Sequence, residues 1–130
     1  MIFDDKQTCC FMHILHQFVV DRNNYLLSVK SHSDIREDRV LLGYYDDEYI
    51  YFIPSVIIGK CDTFLMQNKQ ESFNMQKILN NLFRMNLIKV HWVLSGEVRY
   101  RPQKRVGETR KRYITFIRRE IDLLKSERKL

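Results

Sequence analysis

The segment ESFNMQKILNNLFRMNLIKVHWVL, residues 71–94, changes its apolar period part-way along. Its first part repeats apolar residues at helical spacing, and its last seven residues alternate as in a strand. The helical stripe consists of Met75, Ile78, Leu79, Leu82 and Phe83. The pattern predicts a helix over about 71–87 and a strand over about 88–94. Asn68 with Glu71 resembles a capping box for this helix, and Ser72 is an alternative N-cap.

A strongly basic segment follows, RYRPQKRVGETRKRY at 99–113. Nine of the chain's 22 basic residues lie in 99–119 with one acid, Glu108, so this region carries most of the formal charge of +6. A concentrated basic patch favours a polyanionic partner, although a solvated charge run is the alternative interpretation. RYITFIRREI (112–121) then predicts a second strand over about 112–120, which gives a strand, a long basic turn and a strand.

The predicted helix 71–87 also has a polar face. At 100° per residue, Asn74, Lys77, Asn81 and Arg84 fall within about 80° of one another. Each of these side chains can hydrogen-bond to a phosphate or to a base edge. An ordinary solvated helix face is the alternative.

Four further elements are predicted upstream. TCCFMHILHQFVVDR indicates a helix over about 8–22 with Thr8 as its N-cap, and YLLSV (25–29) indicates a short strand. RVLLGYYDDEYIYFIP indicates a hairpin over about 39–53 with an exposed acidic tip at Asp46 and Asp47. Pro54 suits the first turn of a helix over about 55–67. The final DLLKSERKL reads as a short helix or a frayed end.

The order of these elements predicts an α+β fold in one domain over 1–130, a winged helix. An extra N-terminal helix and a β-hairpin precede its two core helices, and a strand, a basic wing and a strand follow. The second core helix is the usual recognition helix of such folds. The wing is expected to reach away from the domain, where its like charges are stabilised by neutralising phosphates. The predicted wing contacts are Arg99, Arg101, Lys104, Arg105, Arg110, Lys111 and Arg112. The sequence leaves open whether the DNA is single- or double-stranded, and Tyr100 is predicted to stack on an exposed base if it is single-stranded.

The sequence supports a metal site or a catalytic site less strongly than it supports nucleic-acid binding. Cys9, His13 and His16 share a helix face, but Cys10 points away, so a zinc site would need Cys61, His32 or His91 from elsewhere. Asp46, Asp47 and Glu48 are consecutive on a turn and diverge, which disfavours a magnesium site. No familiar catalytic motif is present. The sequence therefore predicts a binding protein that is not an enzyme and has no metal and no cofactor.

The sequence also indicates a compartment. Its longest apolar runs are about half of a membrane span, and the acidic start MIFDDK is unlike a signal peptide. Three cysteines provide no disulfide framework, which favours a reducing, cytoplasmic environment and no membrane partner.

The blocks GYYDDEYIYFIPSVI, ILNNLFRMNLIKV and RYITFI, with the basic segment before the last, resemble the C-terminal winged-helix domain of primase–helicase proteins of phages, plasmids and mobile elements. The resemblance covers about 8–118, and generic winged-helix proteins match much of it. It implies an accessory module in DNA replication that engages DNA or a replication protein. The chain has no G-x-x-x-x-G-K-[ST] phosphate loop, so no ATPase residue carries over.

Two other functions fit the same pattern. The tyrosine-rich YYDDEYIYF suits a protein partner or a homodimer, which would make the fold an interaction module. A small phage or cassette transcriptional repressor would bind DNA as a dimer with sequence preference.

Overall fold

A computed structural model describes residues 5–124 of the chain. Residues 125–130, which hold most of the DLLKSERKL segment, lie outside the described part. The fold is mixed α+β and contains three helices and a mixed sheet within 5–124.

The helices are α1 (Lys6–Val20), α2 (Pro54–Gln67) and α3 (Met75–Arg84). Asp5, not Thr8, caps α1, because its carboxylate accepts hydrogen bonds from the Thr8 amide at 2.9 Å and the Thr8 hydroxyl at 3.0 Å. Pro54 opens α2 as predicted.

The third helix is shorter than the prediction of 71–87. Asn74 is its N-cap and accepts a hydrogen bond from the Lys77 amide, so the predicted caps at Asn68, Glu71 and Ser72 are wrong. Asn68 instead ends α2. Helix α3 stops at Arg84 because Asn86 adopts a left-handed backbone (φ 61°), which is incompatible with a continuing helix.

The strands are β1 (Asn24–Ser28), β2 (Val40–Tyr45), β3 (Tyr49–Phe52), β4 (Ile88–Lys89), β5 (His91–Trp92), β6 (Val98–Arg99), β7 (Gln103–Val106), β8 (Thr109–Arg112) and β9 (Ile114–Ile117). The main sheet has the order β1-β2-β3-β9-β4. Only the β1–β2 pair is parallel, and a 3₁₀ turn at Val29–Ser31 begins the crossover between these two strands. The predicted hairpin over 39–53 is present as β2 and β3.

Alternation along the strands divides the sheet into two faces. Ile50 and Phe52 of β3 and Ile114 and Phe116 of β9 are buried in the core formed with the three helices. Their neighbour Tyr51 belongs to a second, smaller cluster with Val106 and Tyr113. The helices therefore cover one face of the sheet, and the second cluster occupies the other.

The predicted wing is the main departure from expectation. Its outer strands do pair, since Ile88 lies opposite Phe116 and Lys89 opposite Thr115. Between them the chain does not form one long turn. It forms two separate two-stranded ribbons, β5–β6 and β7–β8, with a short connection at 100–102. The long basic segment is thus a small folded unit with its own register.

Candidate nucleic-acid interface

The β7–β8 ribbon carries most of the basic segment and has two distinct faces. Lys104 lies opposite Lys111 and Arg105 lies opposite Arg110, with a two-residue turn at 107–108. Residues that are directly opposite share a face, and successive residues alternate between faces. One face therefore carries Gln103, Arg105, Arg110 and Arg112, all of which are exposed. We call this set the arginine face.

The inner face of the ribbon is anchored on the sheet. Val106 is 6% exposed and packs in the cluster with Tyr51 and Tyr113. The ammonium group of Lys104 lies 5.3 Å from the centroid of the Tyr51 ring, which is a cation–π distance. The prediction that the wing reaches away from the domain is therefore wrong for this ribbon. It lies across the tyrosine side of the sheet, and the arginine face points outward.

The tip of the ribbon is also in contact with the body. Gly107 has a φ of 63°, and a Cβ atom at this position would lie 2.5 Å from Nε2 of His32. The backbone conformation favours glycine there, and an added methyl group would have to displace the exposed imidazole of His32. Since tip and inner face are both held, the orientation of the arginine face is fixed by the fold.

No arginine of the arginine face forms an ion pair with an acidic side chain within 5–124. The ion pairs within 5–124 join Lys77 to Asp5, Arg118 to Asp122 and Arg119 to Glu120. None of them involves a basic residue of 99–112. Like charges that lie directly opposite each other across two strands are destabilising. The ribbon thus keeps an unfavourable arrangement that a bound polyanion would relieve.

A pocket connects this ribbon to α3. Its lining consists of Gln76, Leu79, Arg99, Tyr100, Arg101 and Arg112. Arg99 ends β6, Arg101 lies in the connection that follows it and Arg112 ends β8, and none of the lining residues is acidic. Arg112 also donates a hydrogen bond to the carbonyl of Arg101 at 3.4 Å, which ties the ribbon to the connection at 100–102. The pocket extends the basic surface from the ribbon to the N-terminal half of α3.

The predicted polar face of α3 is largely turned toward α1. Asn81 donates a hydrogen bond to the Thr8 hydroxyl at 3.1 Å, and Lys77 pairs with Asp5 at 3.8 Å. The side chain of Asn74 caps its own helix, and its amide donates to the side chain of Gln7. Of the four predicted residues, Arg84 alone is exposed with no such contact within 5–124. Lys77 keeps 62% of its side chain exposed and can still reach a phosphate.

The exposed residues of α3 are Gln76, Lys77 and Arg84, of which the sequence predicted Lys77 and Arg84 but not Gln76. Gln76 is exposed and lines the pocket that Arg99, Arg101 and Arg112 also line. Asn80 accepts a hydrogen bond from the hydroxyl of Tyr100 at 2.9 Å. The position of the buried stripe would not have found Gln76. Ile78, Leu79 and Leu82 are the buried residues, and the direction opposite to them falls between Asn80 and Arg84, with Gln76 at the edge of the exposed arc.

The aromatic residue predicted to stack on a base is not free. Tyr100 is half-buried, bonds to Asn80 and packs edge-on against Phe83 with ring centroids 6.4 Å apart. The exposed aromatic residue is Trp92 on β5, with 59% of its surface accessible. The sequence pattern predicted that His91 and Trp92 belong to a single strand over about 88–94. The structure pairs them with Arg99 and Val98 in a small ribbon beside α3.

The acidic hairpin tip has a structural role. Asp46 is half-buried, and its carboxylate accepts hydrogen bonds from the Tyr51 hydroxyl at 2.6 Å and from the amides of Tyr49 and Glu48. Burial alone would raise the pKa of Asp46, but these hydrogen bonds outweigh it and lower the pKa below its ordinary value. Burial, followed by the hydrogen bond to Asp46, raises the pKa of Tyr51. The prediction of an exposed tip is therefore confirmed for Asp47 and wrong for Asp46.

The cysteines and histidines do not assemble into a ligand set. Cys61 is buried in the main core, where burial raises the pKa of its thiol to about 12, while Cys9 and Cys10 are half-buried on α1. No three His, Cys, Asp or Glu side chains within 5–124 are arranged to hold a metal ion. In the same part of the chain, no helix combines the length and the apolar character needed to span a bilayer.

Comparison with known protein families, with characterised proteins and with solved structures finds no match to this chain.

Proposed function

We propose that this chain is a winged-helix domain that binds nucleic acid and carries out no catalytic step. The chain order α1, β3, α2, α3, β4, β9 supports the fold assignment. So does the antiparallel order β3-β9-β4, in which the last strand lies between the first two. In this reading β1 and β2 extend the sheet, and the two ribbons between β4 and β9 form the wing.

The arginine face is the observation that carries the proposed function. Arg105, Arg110 and Arg112 stand on one side of a ribbon whose other side is anchored, and none has an acidic partner within 5–124. Neutralising phosphates releases counterions from the nucleic acid, which offsets the repulsion stored between these side chains. Phosphate contacts position a protein on nucleic acid without reading its sequence, so binding through this face is expected to be largely independent of sequence.

The resemblance to the winged domain of primase–helicases extends this proposal. It makes the chain an accessory module in the replication of phage or mobile-element DNA, acting in the cytoplasm beside a replication protein. A transcriptional repressor is the alternative with the same interface. Repression requires base-edge contacts from α3, and the only exposed α3 side chains suited to them within 5–124 are Gln76, Lys77 and Arg84.

An interaction module is the second candidate function. Trp92 and Leu94 are exposed large apolar residues on one ribbon, and Leu94 has 110% relative accessibility. Such residues can mark a protein–protein contact or a homodimer. A mass that rises with concentration in light scattering, without any affinity for nucleic acid, would favour this function.

The decisive test is fluorescence anisotropy with labelled single-stranded and double-stranded DNA over a salt series. The proposal predicts micromolar or tighter binding at low salt and a steep loss of affinity with increasing salt. Arg105→Glu with Arg110→Glu should abolish this binding and reduce the salt slope. Arg22→Glu with Lys69→Glu is the charge-matched control, since both side chains are exposed and lie outside the basic segment.

The outcomes separate the functions clearly. Equal losses in the two double variants would mean that net charge, not the arginine face, drives association. No binding by the wild-type protein at low salt would overturn the nucleic-acid function.

A further inference from the structure

Trp92 is the only tryptophan in the chain and is unusually accessible. It lies on β5 opposite Val98 of β6, and 59% of its surface is exposed. Tryptophan is on average a strongly buried residue, so an exposed indole on an ordered ribbon calls for an explanation. The proposed function uses the arginine face and does not by itself account for it.

The indole is held in place by a row of aromatic contacts. Its ring lies 5.9 Å from the ring of Phe83 on α3 in an edge-on arrangement, with an interplanar angle of 67°. Phe83 in turn packs edge-on against Tyr100, and the Tyr100 hydroxyl bonds to Asn80. An aromatic side chain that is fixed on one side and open on the other loses little conformational entropy when a flat partner stacks on it.

The charges around this row favour a nucleic acid over an apolar protein surface. Arg84, next to Phe83 in the chain, is exposed, and α3 contains no carboxylate. Arg99 is exposed on β6 opposite His91, so it lies on the other face of the ribbon from Trp92, where it lines the pocket with Tyr100. Glu97 is the one acidic residue of this ribbon. A nucleic-acid strand offers a π-face to the indole and phosphates to the exposed guanidinium groups of this region, whereas an apolar partner offers only an apolar contact.

We propose that Trp92 stacks on an unpaired nucleobase, and that the domain therefore prefers single-stranded nucleic acid, or a duplex with an unpaired end, over a fully paired duplex. This inference rests on the proposed function, because the arginine face supplies the phosphate contacts. In a closed duplex the bases are stacked on one another, so their π-faces are not available to the indole. The proposed preference for single strands follows from that difference.

The single tryptophan makes the test direct. The protein is titrated at low salt with an oligothymidylate, and separately with a blunt-ended, fully paired DNA duplex of the same phosphate count. The emission of Trp92 is recorded together with the anisotropy of the labelled DNA. Stacking should quench the emission during the oligothymidylate titration, with the same midpoint as the anisotropy, and the duplex should quench it much less.

Variants provide a second, independent readout. Trp92→Leu keeps an apolar contact with Phe83 and removes the stacking surface. It should weaken oligothymidylate binding roughly 5- to 100-fold and leave duplex binding unchanged, the range expected for base–aromatic stacking. Leu94→Ser is the matched control, because it removes an exposed apolar side chain from the same ribbon without removing a π-face. It should leave both affinities unchanged.

The outcomes distinguish this inference from the function on which it rests. Binding of both nucleic acids without quenching would overturn the stacking role and leave the nucleic-acid function standing. No binding of either would overturn both. A concentration-dependent change of Trp92 emission without DNA, together with a dimer mass in light scattering, would show that a second copy covers the indole and would overturn the stacking role. The quenching readout uses the wild-type protein and does not depend on the folding of Trp92→Leu.

Discussion

Arg105 lies directly opposite Arg110 in the β7–β8 ribbon, and neither has an ion-pair partner within 5–124. Lys104 and Lys111 form the next like-charged pair along the ribbon, on its other face. Two consecutive cross-strand pairs of like charge oppose the folding of the ribbon. The ribbon folds in spite of them because Val106 is buried against the tyrosine cluster and Lys104 lies over the Tyr51 ring.

Arg110→Glu should therefore stabilise the protein while weakening its binding. An opposite-charge pair with Arg105 replaces a repulsive one, which is worth roughly 0.2–1 kcal/mol in favour of the folded state. Binding to DNA should weaken because a phosphate contact is lost and a repulsive charge is introduced. Urea denaturation measures the first effect, and fluorescence anisotropy measures the second. A variant that is both less stable and equally tight in binding would contradict the proposed role of the ribbon.

Gly107→Ala should destabilise the protein more than Gly96→Ala. Both glycines have a positive φ, of 63° and 85°, so both substitutions impose backbone strain of about 1 kcal/mol. Only at Gly107 does the added methyl group meet another side chain, His32, whereas Gly96 has no atom within 4 Å of its Cβ position. The difference between the two unfolding free energies therefore measures the contact between the ribbon tip and His32.

The double variant Gly107→Ala with His32→Ala supplies the control. It should recover the part of the loss that comes from the clash and leave the backbone strain in place. Equal costs for Gly107→Ala and Gly96→Ala would mean that the exposed His32 ring moves aside without cost and does not hold the ribbon tip.

Tyr51→Phe should reduce stability at neutral pH by about 1 kcal/mol, since it removes a hydrogen bond to a partly exposed carboxylate. The pKa of Asp46 is lowered in the folded protein, so its ionised form contributes stability above the ordinary carboxyl pKa of 3.8. That contribution is lost as the pH falls through the folded value. The difference between wild type and Tyr51→Phe should therefore shrink as the pH is lowered below about 4.

Urea denaturation between pH 7 and pH 2.5 checks this dependence. Tyr49→Phe is the matched control, because it removes a hydroxyl group from the same cluster without removing a bond to Asp46. A gap between wild type and Tyr51→Phe that stays constant across this range would show that Asp46 does not depend on the Tyr51 hydroxyl.

Asn81→Ala and Arg112→Ala should affect different properties, the free energy of unfolding in the first variant and DNA affinity in the second. Asn81 joins α3 to α1 through the Thr8 hydroxyl, so its loss should lower the free energy of unfolding by about 1 kcal/mol and leave DNA affinity within twofold. Arg112 is exposed and lines the pocket beside Gln76, so its loss should weaken binding severalfold with little effect on stability. Paired urea and anisotropy measurements on the two variants test this. Weakened DNA binding by Asn81→Ala at unchanged stability would restore Asn81 to the interface.

Local sequence patterns determined much of the fold. Helical apolar spacing predicted α1 and α3, β-branched and aromatic residues predicted the β2–β3 hairpin, and alternation predicted the outer wing strands. Pro54 marked the start of α2 because its ring fixes φ and lacks a donor. Of the five residues in the predicted apolar stripe of α3, Ile78, Leu79 and Leu82 are buried, whereas Met75 and Phe83 are half-buried.

Only the tertiary structure decided which polar and aromatic groups are free. Asn81 meets Thr8 across 73 residues of sequence, and Tyr100 meets Asn80 from the connection that follows β6. Periodicity shows which side of a helix avoids water, but it does not show which neighbour covers the polar flank. The positive charge of the basic segment was likewise evident from the sequence alone. That it folds back over Tyr51, and that Trp92 rather than Tyr100 remains open to solvent, depends on contacts between segments that are distant in sequence.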